Sequence, residues 1–80
     1  MTNLTKYIVD ARGHRCPVPT LRLRKRLEET SQGTVVILWV DDPMAKVDVP
    51  HFCNKNNYII TSFNFEGDFM TFAVTRSGAD

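Results

Sequence analysis

The stretch Gly13-His14-Arg15-Cys16-Pro17-Val18-Pro19 is the part of this sequence best equipped for chemistry. It sets a cysteine directly before a proline, at a point where a helix is expected to begin, with arginines at positions 12 and 15. A thiol pKa falls from about 8.5 into the range of about 3.5–7.5 when a helix N-terminus or a Lys or Arg lies beside it, so Cys16 is the candidate nucleophile. With Cys16 read as the N-cap, Pro17 and Pro19 occupy the first and third helical positions and remove two backbone donors. The N–H groups of Val18 and Thr20 remain, and Val18 is placed to bond an N-cap sulfur. Arg12 and Arg15 add unpaired positive charge, and Gly13 allows a close approach.

What accompanies the thiol limits its use. Only His14 and His51 could act as a general base, and no Ser/His/Asp set, Gly-rich phosphate cradle or carboxylate pair is present. A small two-layer protein leaves little cavity for a small substrate. A displayed thiol on a positive rim suits exchange with another protein's sulfur, the partner supplying the remaining chemistry. The pairs His14/Cys16 and His51/Cys53 have the inventory of a zinc site but not its ligand spacing, so neither a metal nor a cofactor is expected.

The elements that must hold this stretch follow from pattern and punctuation. Lys6–Asp10 reads as a short strand. A helix is expected over Pro17–Glu29, with Thr20, Leu23 and Leu27 on its inward stripe, Leu21 beside them, and Arg22 and Arg26 opposite. Thr34–Val40 is a continuous apolar run suited to a central strand covered on more than one side. Asp48 as N-cap and Pro50 in the first turn open a second helix reaching Asn56, with Val49, Phe52 and Cys53 inward. Asn56-Asn57 supplies a left-handed exit, and Tyr58–Phe65 and Phe69–Thr75 form a hairpin around Glu66-Gly67-Asp68. The order β-α-β-α-β-β implies an α/β (α+β) two-layer sandwich, a mixed four-stranded sheet with both helices on one face. Strand order stays open.

At 80 residues the chain is expected to be one domain spanning 1–80, burying only about 60% of its unfolded surface. Its 42% hydrophobic and 24% charged content excludes disordered and low-complexity classes. No apolar run nears the ~18 residues of a membrane span, and Met1-Thr2-Asn3 does not start a signal peptide, so a cytoplasmic protein without membrane partners is expected. Two cysteines are too few for a disulfide framework. The net charge is only +1, yet six of the ten bases fall between residues 12 and 26 with no acid among them, and the acids Asp41, Asp42, Asp48, Glu66 and Asp68 lie elsewhere. One positive face is therefore expected, with Arg22, Lys25 and Arg26 able to dock an acidic protein surface or tRNA.

The segments Asp10-Ala-Arg-Gly-His-Arg-Cys-Pro-Val-Pro19, with Leu21 and Lys25, then Asp41-Asp-Pro43 and Asp48-Val-Pro-His-Phe-Cys53, resemble the TusA/SirA-like sulfur-carrier proteins over nearly the whole chain. The resemblance implies a two-layer α/β sandwich whose Cys-Pro-x-Pro cysteine, here Cys16, carries a persulfide. It implies a sulfurtransferase-type carrier rather than a stand-alone enzyme. Sulfane sulfur would come from a persulfide donor such as a cysteine desulfurase. It would pass to an acceptor protein serving tRNA 2-thiouridine formation, molybdenum cofactor synthesis or a related route, with tRNA or a tRNA-modifying complex as a further partner. His14 departs from the apolar residue often found at that position in the family.

The residues also admit blander readings. Cys53, on an inward stripe, is expected to be a buried structural thiol. Trp39, Phe63, Phe65, Phe69 and Phe72 read as core rather than base-stacking groups, and Asp41 and Asp42 as turn and cap residues. Two rival functions remain: a small RNA-binding or regulatory module using the basic helix, and a Cys16/Cys53 redox switch, which needs Cα atoms within about 7 Å.

Overall fold

A computed structural model describes residues 7–15, 17–31 and 33–76. The elements run β1 (Tyr7–Asp10), α1 (Val18–Glu28), β2 (Val36–Val40), α2 (Ala45–Lys55), β3 (Tyr58–Phe65) and β4 (Met70–Arg76). They form a single four-stranded mixed sheet, ordered β1-β2-β4-β3. β1 runs parallel to β2, from Tyr7 opposite Val36 to Asp10 opposite Trp39. β4 is antiparallel to both β2 and β3, with a bulge between Ile60 and Ser62. The expected element order, hairpin and α+β sandwich are all present.

One sheet face is covered. α1 packs on β1 and β2, α2 packs on β3, and the two helices touch each other. The core between the layers joins Leu23 and Leu27 of α1, Val49 and Cys53 of α2, and Val36, Leu38, Val40, Phe72 and Val74 of the sheet. Along β2, burial alternates rather than staying continuous: Val36, Leu38 and Val40 are buried, Ile37 and Trp39 only half-buried. The expectation of a strand covered on both sides is corrected, because both helices lie on the same side.

Local signals account for several features. Asn57, at φ 62, turns the chain out of α2, a conformation asparagine tolerates better than most residues. Gly67, at φ 78, serves the β3–β4 turn, closed by Glu66 N–H donating to Phe69 O at 2.8 Å. Three expectations need correction. Leu21 is 54% exposed, and Pro19 takes the buried place beside Thr20, Leu23 and Leu27. α2 starts at Ala45 rather than Asp48, because Asp42 opens the turn: its Oδ1 accepts Met44 N–H at 3.1 Å and its carbonyl accepts Ala45 N–H at 2.9 Å. Pro50 then lies inside the helix, where the Lys46 carbonyl has no N–H four residues on. Finally, Phe63 and Phe65 are 40% and 62% exposed, while Trp39 and Phe69 meet on the open sheet face with ring centroids 5.3 Å apart. Of the five aromatics expected in the core, only Phe72 is fully buried there.

Leu27→Ala should lower the unfolding free energy by about 2–5 kcal/mol, whereas Leu21→Ala should change it by less than about 0.5 kcal/mol. Urea midpoints of the two variants measured side by side check the assignment of the stripe.

Candidate functional site

The parallel pairing of β1 and β2 brings their C-terminal ends together, and the Cys-Pro-x-Pro stretch leaves from that point. Ala11 extends the ladder by donating its N–H to Trp39 O at 2.8 Å. The chain then reverses through a turn closed by His14 N–H to Ala11 O at 3.2 Å, with Gly13 in its third position at φ 85. That position of a type II turn requires a positive φ. A Cβ on Gly13 would meet nothing within 4 Å, so the residue is needed for its backbone conformation rather than for a close approach. The Gly13 N–H points at Asp41, whose Oδ1 and Oδ2 lie at 3.0 and 3.1 Å. Asp41 thus ties the turn to the end of β2. Its carboxylate is part of the site, not a charge set apart from it.

Arg12 does not add free charge to the loop, contrary to expectation. Its Nε and Nη2 donate to the two carboxylate oxygens of Asp10, each at 2.8 Å, and its backbone N–H adds a third bond at 3.2 Å. The guanidinium lies 4.8 Å from the ring centroids of both Trp39 and Phe69. It therefore caps the aromatic pair on the open sheet face. The same bonds lower the Asp10 pKa from 3.8 to about 2.

The helix start also differs from the sequence reading. α1 begins at Val18 with Pro17 in the N-cap position, one residue later than expected, so Pro19 is the second helical residue. Val18 N–H donates to Arg15 O at 3.0 Å, which removes it as a donor to sulfur. Pro17 instead receives two bonds on its carbonyl, from Leu21 N–H at 3.0 Å and Thr20 Oγ1 at 2.9 Å. The turn from Arg15 to Val18 uses the first amide that α1 could have offered an anion. Cys16 itself lies outside the described residues. What the neighbouring residues supply is the positive end of the α1 dipole and the exposed Arg15, which makes no ion pair with a described residue. Half-buried His14 lines an open depression of about 560 Å³ together with Gly13, Arg15, Asp41, Asp42, Pro43 and Met44.

The remaining candidates divide by place. Arg22, Lys25 and Arg26 line a groove of about 330 Å³ between α1 and β1, which also contains Asp10 and Glu29. Arg24 pairs with Glu28 at 3.0 Å, Arg26 approaches Glu29 at 4.0 Å, and Arg22 donates to Asp10 O at 3.4 Å. The helix is thus less positive than its run of bases suggested, and among the described residues Lys25 and Arg15 are its free cations near the motif. His51 is exposed on α2. Cys53 is 2% exposed on the inner side of α2, and burial pushes its thiol up to about 11. It is the buried structural thiol expected. Asp41 was missed as a site residue, although a signal for it existed: if Asp10 and Trp39 are parallel neighbours, Arg12-Gly13 and Asp41 must leave the sheet side by side.

A four-stranded mixed sheet with two helices on one face, and a glycine turn tied to the end of the neighbouring parallel strand, defines a class of small α+β sandwich. The family model described as Sulfurtransferase TusA matches residues 7–76, and the chain belongs to that family. Among curated proteins it is similar to the Sulfur carrier protein TusA of Buchnera aphidicola subsp. Baizongia pistaciae (strain Bp). The two are 27% identical over 70 residues, which is 88% of this chain and 89% of the relative.

The Asp10–Arg12 pair sets a pH dependence. Because the folded carboxyl is lowered to about 2 from 3.8, its stabilising effect is complete above the ordinary value and fades as pH falls from 3.8 towards 2. In Arg12→Gln the Asp10 titration, followed by carboxyl NMR, should move back up towards 3.8, with the Trp39 fluorescence environment altered at neutral pH.

Proposed function

We propose that this protein is a sulfur carrier in which Cys16 receives sulfane sulfur and passes it to an acceptor protein. The observation that carries the reading is the family match across residues 7–76, which includes Cys16-Pro17-Val18-Pro19. In the first step the Cys16 thiolate attacks the terminal sulfur of a donor persulfide. The new S–S bond gives Cys16-S-SH, the donor's own S–S bond breaks, and the electron pair leaves on the donor thiolate. An acceptor thiolate then attacks the terminal sulfur of Cys16-S-SH and releases Cys16 as a thiolate. No electrons are gained or lost overall. Arg15 and the start of α1 favour the anion at both stages.

The open depression beside His14 and Arg15 supports a protein partner over an enclosed small substrate. A cysteine desulfurase suits the donor role, and an acceptor in tRNA 2-thiouridine, molybdenum cofactor or related chemistry suits the second, in the cytoplasm. The unpaired Lys25, with Arg22 beside it, favours an acidic docking surface on the donor.

Incubation with a cysteine desulfurase and cysteine should add one sulfur atom to Cys16, read by mass spectrometry of the intact and digested protein. Unmodified protein, or sulfur found only on Cys53, counts against the proposal. Cys53 should label with alkylating reagents only after unfolding, since its thiol is buried and raised to about 11.

Docking has its own signature. Combined Arg22→Glu and Lys25→Glu should slow sulfur uptake about tenfold at low salt, with the difference from wild type shrinking as ionic strength rises. Binding of tRNA that survives Cys16→Ala and accounts for all activity would instead favour the RNA-binding module.

A further inference from the structure

Among the described residues the sheet order leaves two free edges, β1 and β3. β1 is four residues long, whereas β3 is eight, Tyr-Ile-Ile-Thr-Ser-Phe-Asn-Phe, without a charge or a proline. An edge of that kind presents unpaired backbone groups, and its bulge is the one protective device it retains. α2 covers only part of β3. Phe63 and Phe65 remain 40% and 62% exposed, next to an open apolar groove of about 340 Å³ between α2 and the strand. Of the nearby charges, Lys55 precedes Tyr58 and Glu66 and Asp68 follow Phe65, while Lys46 of α2 lines the groove with its Nζ 5.7 Å from the Phe65 ring centroid and Arg76 of β4 lies opposite Tyr58 on the side away from the free edge.

We infer that β3 pairs antiparallel with β3 of a second copy of this chain, joining two sheets across a twofold axis. The register is centred between Thr61 and Ser62, setting Tyr58 opposite Phe65, Ile60 opposite Phe63 and Ile59 opposite Asn64. Faces decide this register. Within one copy, Tyr58, Ile60, Phe63 and Phe65 oppose Arg76, Val74, Phe72 and Met70, so the bulge between Ile60 and Ser62 keeps all four on the helix side. Antiparallel partners share a face, and the bulge lets Tyr58 meet Phe65 and Ile60 meet Phe63 with their faces matched. In a regular strand the same pairing would set inward residues against outward ones. The bulge lies at the axis and divides the ladder into two equal halves.

Charge selects a second copy as the occupant. Antiparallel self-pairing brings Lys55 of each copy towards Glu66 and Asp68 of the other, twice per dimer, whereas a parallel arrangement sets like charges together. Phe63 and Ile60 of both copies then roof the groove beside α2. β1 forms the opposite edge, and although Asp68 lines a depression with Arg12 and Gly13, the pairing is read from the oligomeric state and does not depend on the sulfur-carrier reading.

Sedimentation of the full chain under reducing conditions, from micromolar to millimolar concentration, tests the proposal. The wild type should form a concentration-dependent dimer, and Lys55→Glu should weaken it about tenfold, since two favourable exposed pairs become repulsive. Adding Glu66→Lys and Asp68→Lys to Lys55→Glu should restore dimerisation. These side chains are exposed, so circular dichroism should report an unchanged fold. A monomer at every concentration, a dimer indifferent to Lys55→Glu, or a triple variant that fails to recover would each overturn the inference.

Discussion

Parallel pairing of β1 with β2 is the constraint from which the site follows. It obliges both strands to end at the same edge of the sheet, so the turn leaving β1 and the acidic segment leaving β2 must share space. Asp41 uses that proximity to accept the Gly13 N–H, and Asp42 uses the same segment to open α2. One short acidic stretch thereby fixes both the approach to α1 and the start of α2. Asp41 and Gly13 are 28 residues apart, yet their bond sits at the head of the Cys-Pro-x-Pro segment.

Charge in this protein is arranged by pairing more than by composition. Of the bases near the motif, Arg12 is committed to Asp10, and Arg24 and Arg26 have glutamates one helical turn on. Exposed pairs of this kind add little stability, about 0–1 kcal/mol each, but they do remove charge from the surface a partner meets. The field left at the loop is narrower than the run of bases implies and centres on Arg15. An arginine held by Asp10 and stacked on two rings covers apolar surface through its planar head while leaving the loop's charge to its neighbour.

Features encoded within a few residues were legible in the sequence. Thr20, Leu23 and Leu27 announce one face of α1, Asn57 announces a left-handed exit, and Gly67 announces the hairpin, because each needs only its own backbone or periodicity. The fold class followed from the order of these elements. The site was legible in its residue types and not in its bonds. Whether Arg12 is free depends on the direction it takes over the sheet, and whether Val18 can bond sulfur depends on the turn closed by Arg15. The start of α2 differs for the same reason: Asp48 and Pro50 form a good local signal, but Asp42 closes an earlier turn from which a helix with Ala45 and Val49 inward begins, with Met44 as its N-cap.

A two-layer domain of this size has one sheet face that no helix covers, and the way that face is handled separates stability from function. The core lies between the helices and one side of the sheet, and it holds Cys53 as an inert thiol. On the other side, Trp39 and Phe69 are shielded by Arg12, whose position is set by Asp10 at the end of β1. Beyond the buried Ala11, the turn carrying Gly13 is consequently held by polar bonds and one stacked cation. Such contacts fix direction while costing little when rearranged, because water replaces them readily at the surface. If Cys16 exchanges sulfur as proposed, that kind of attachment lets the turn adjust to a donor and then to an acceptor without drawing on the packing of Leu23, Leu27 and Val74 that keeps the protein folded.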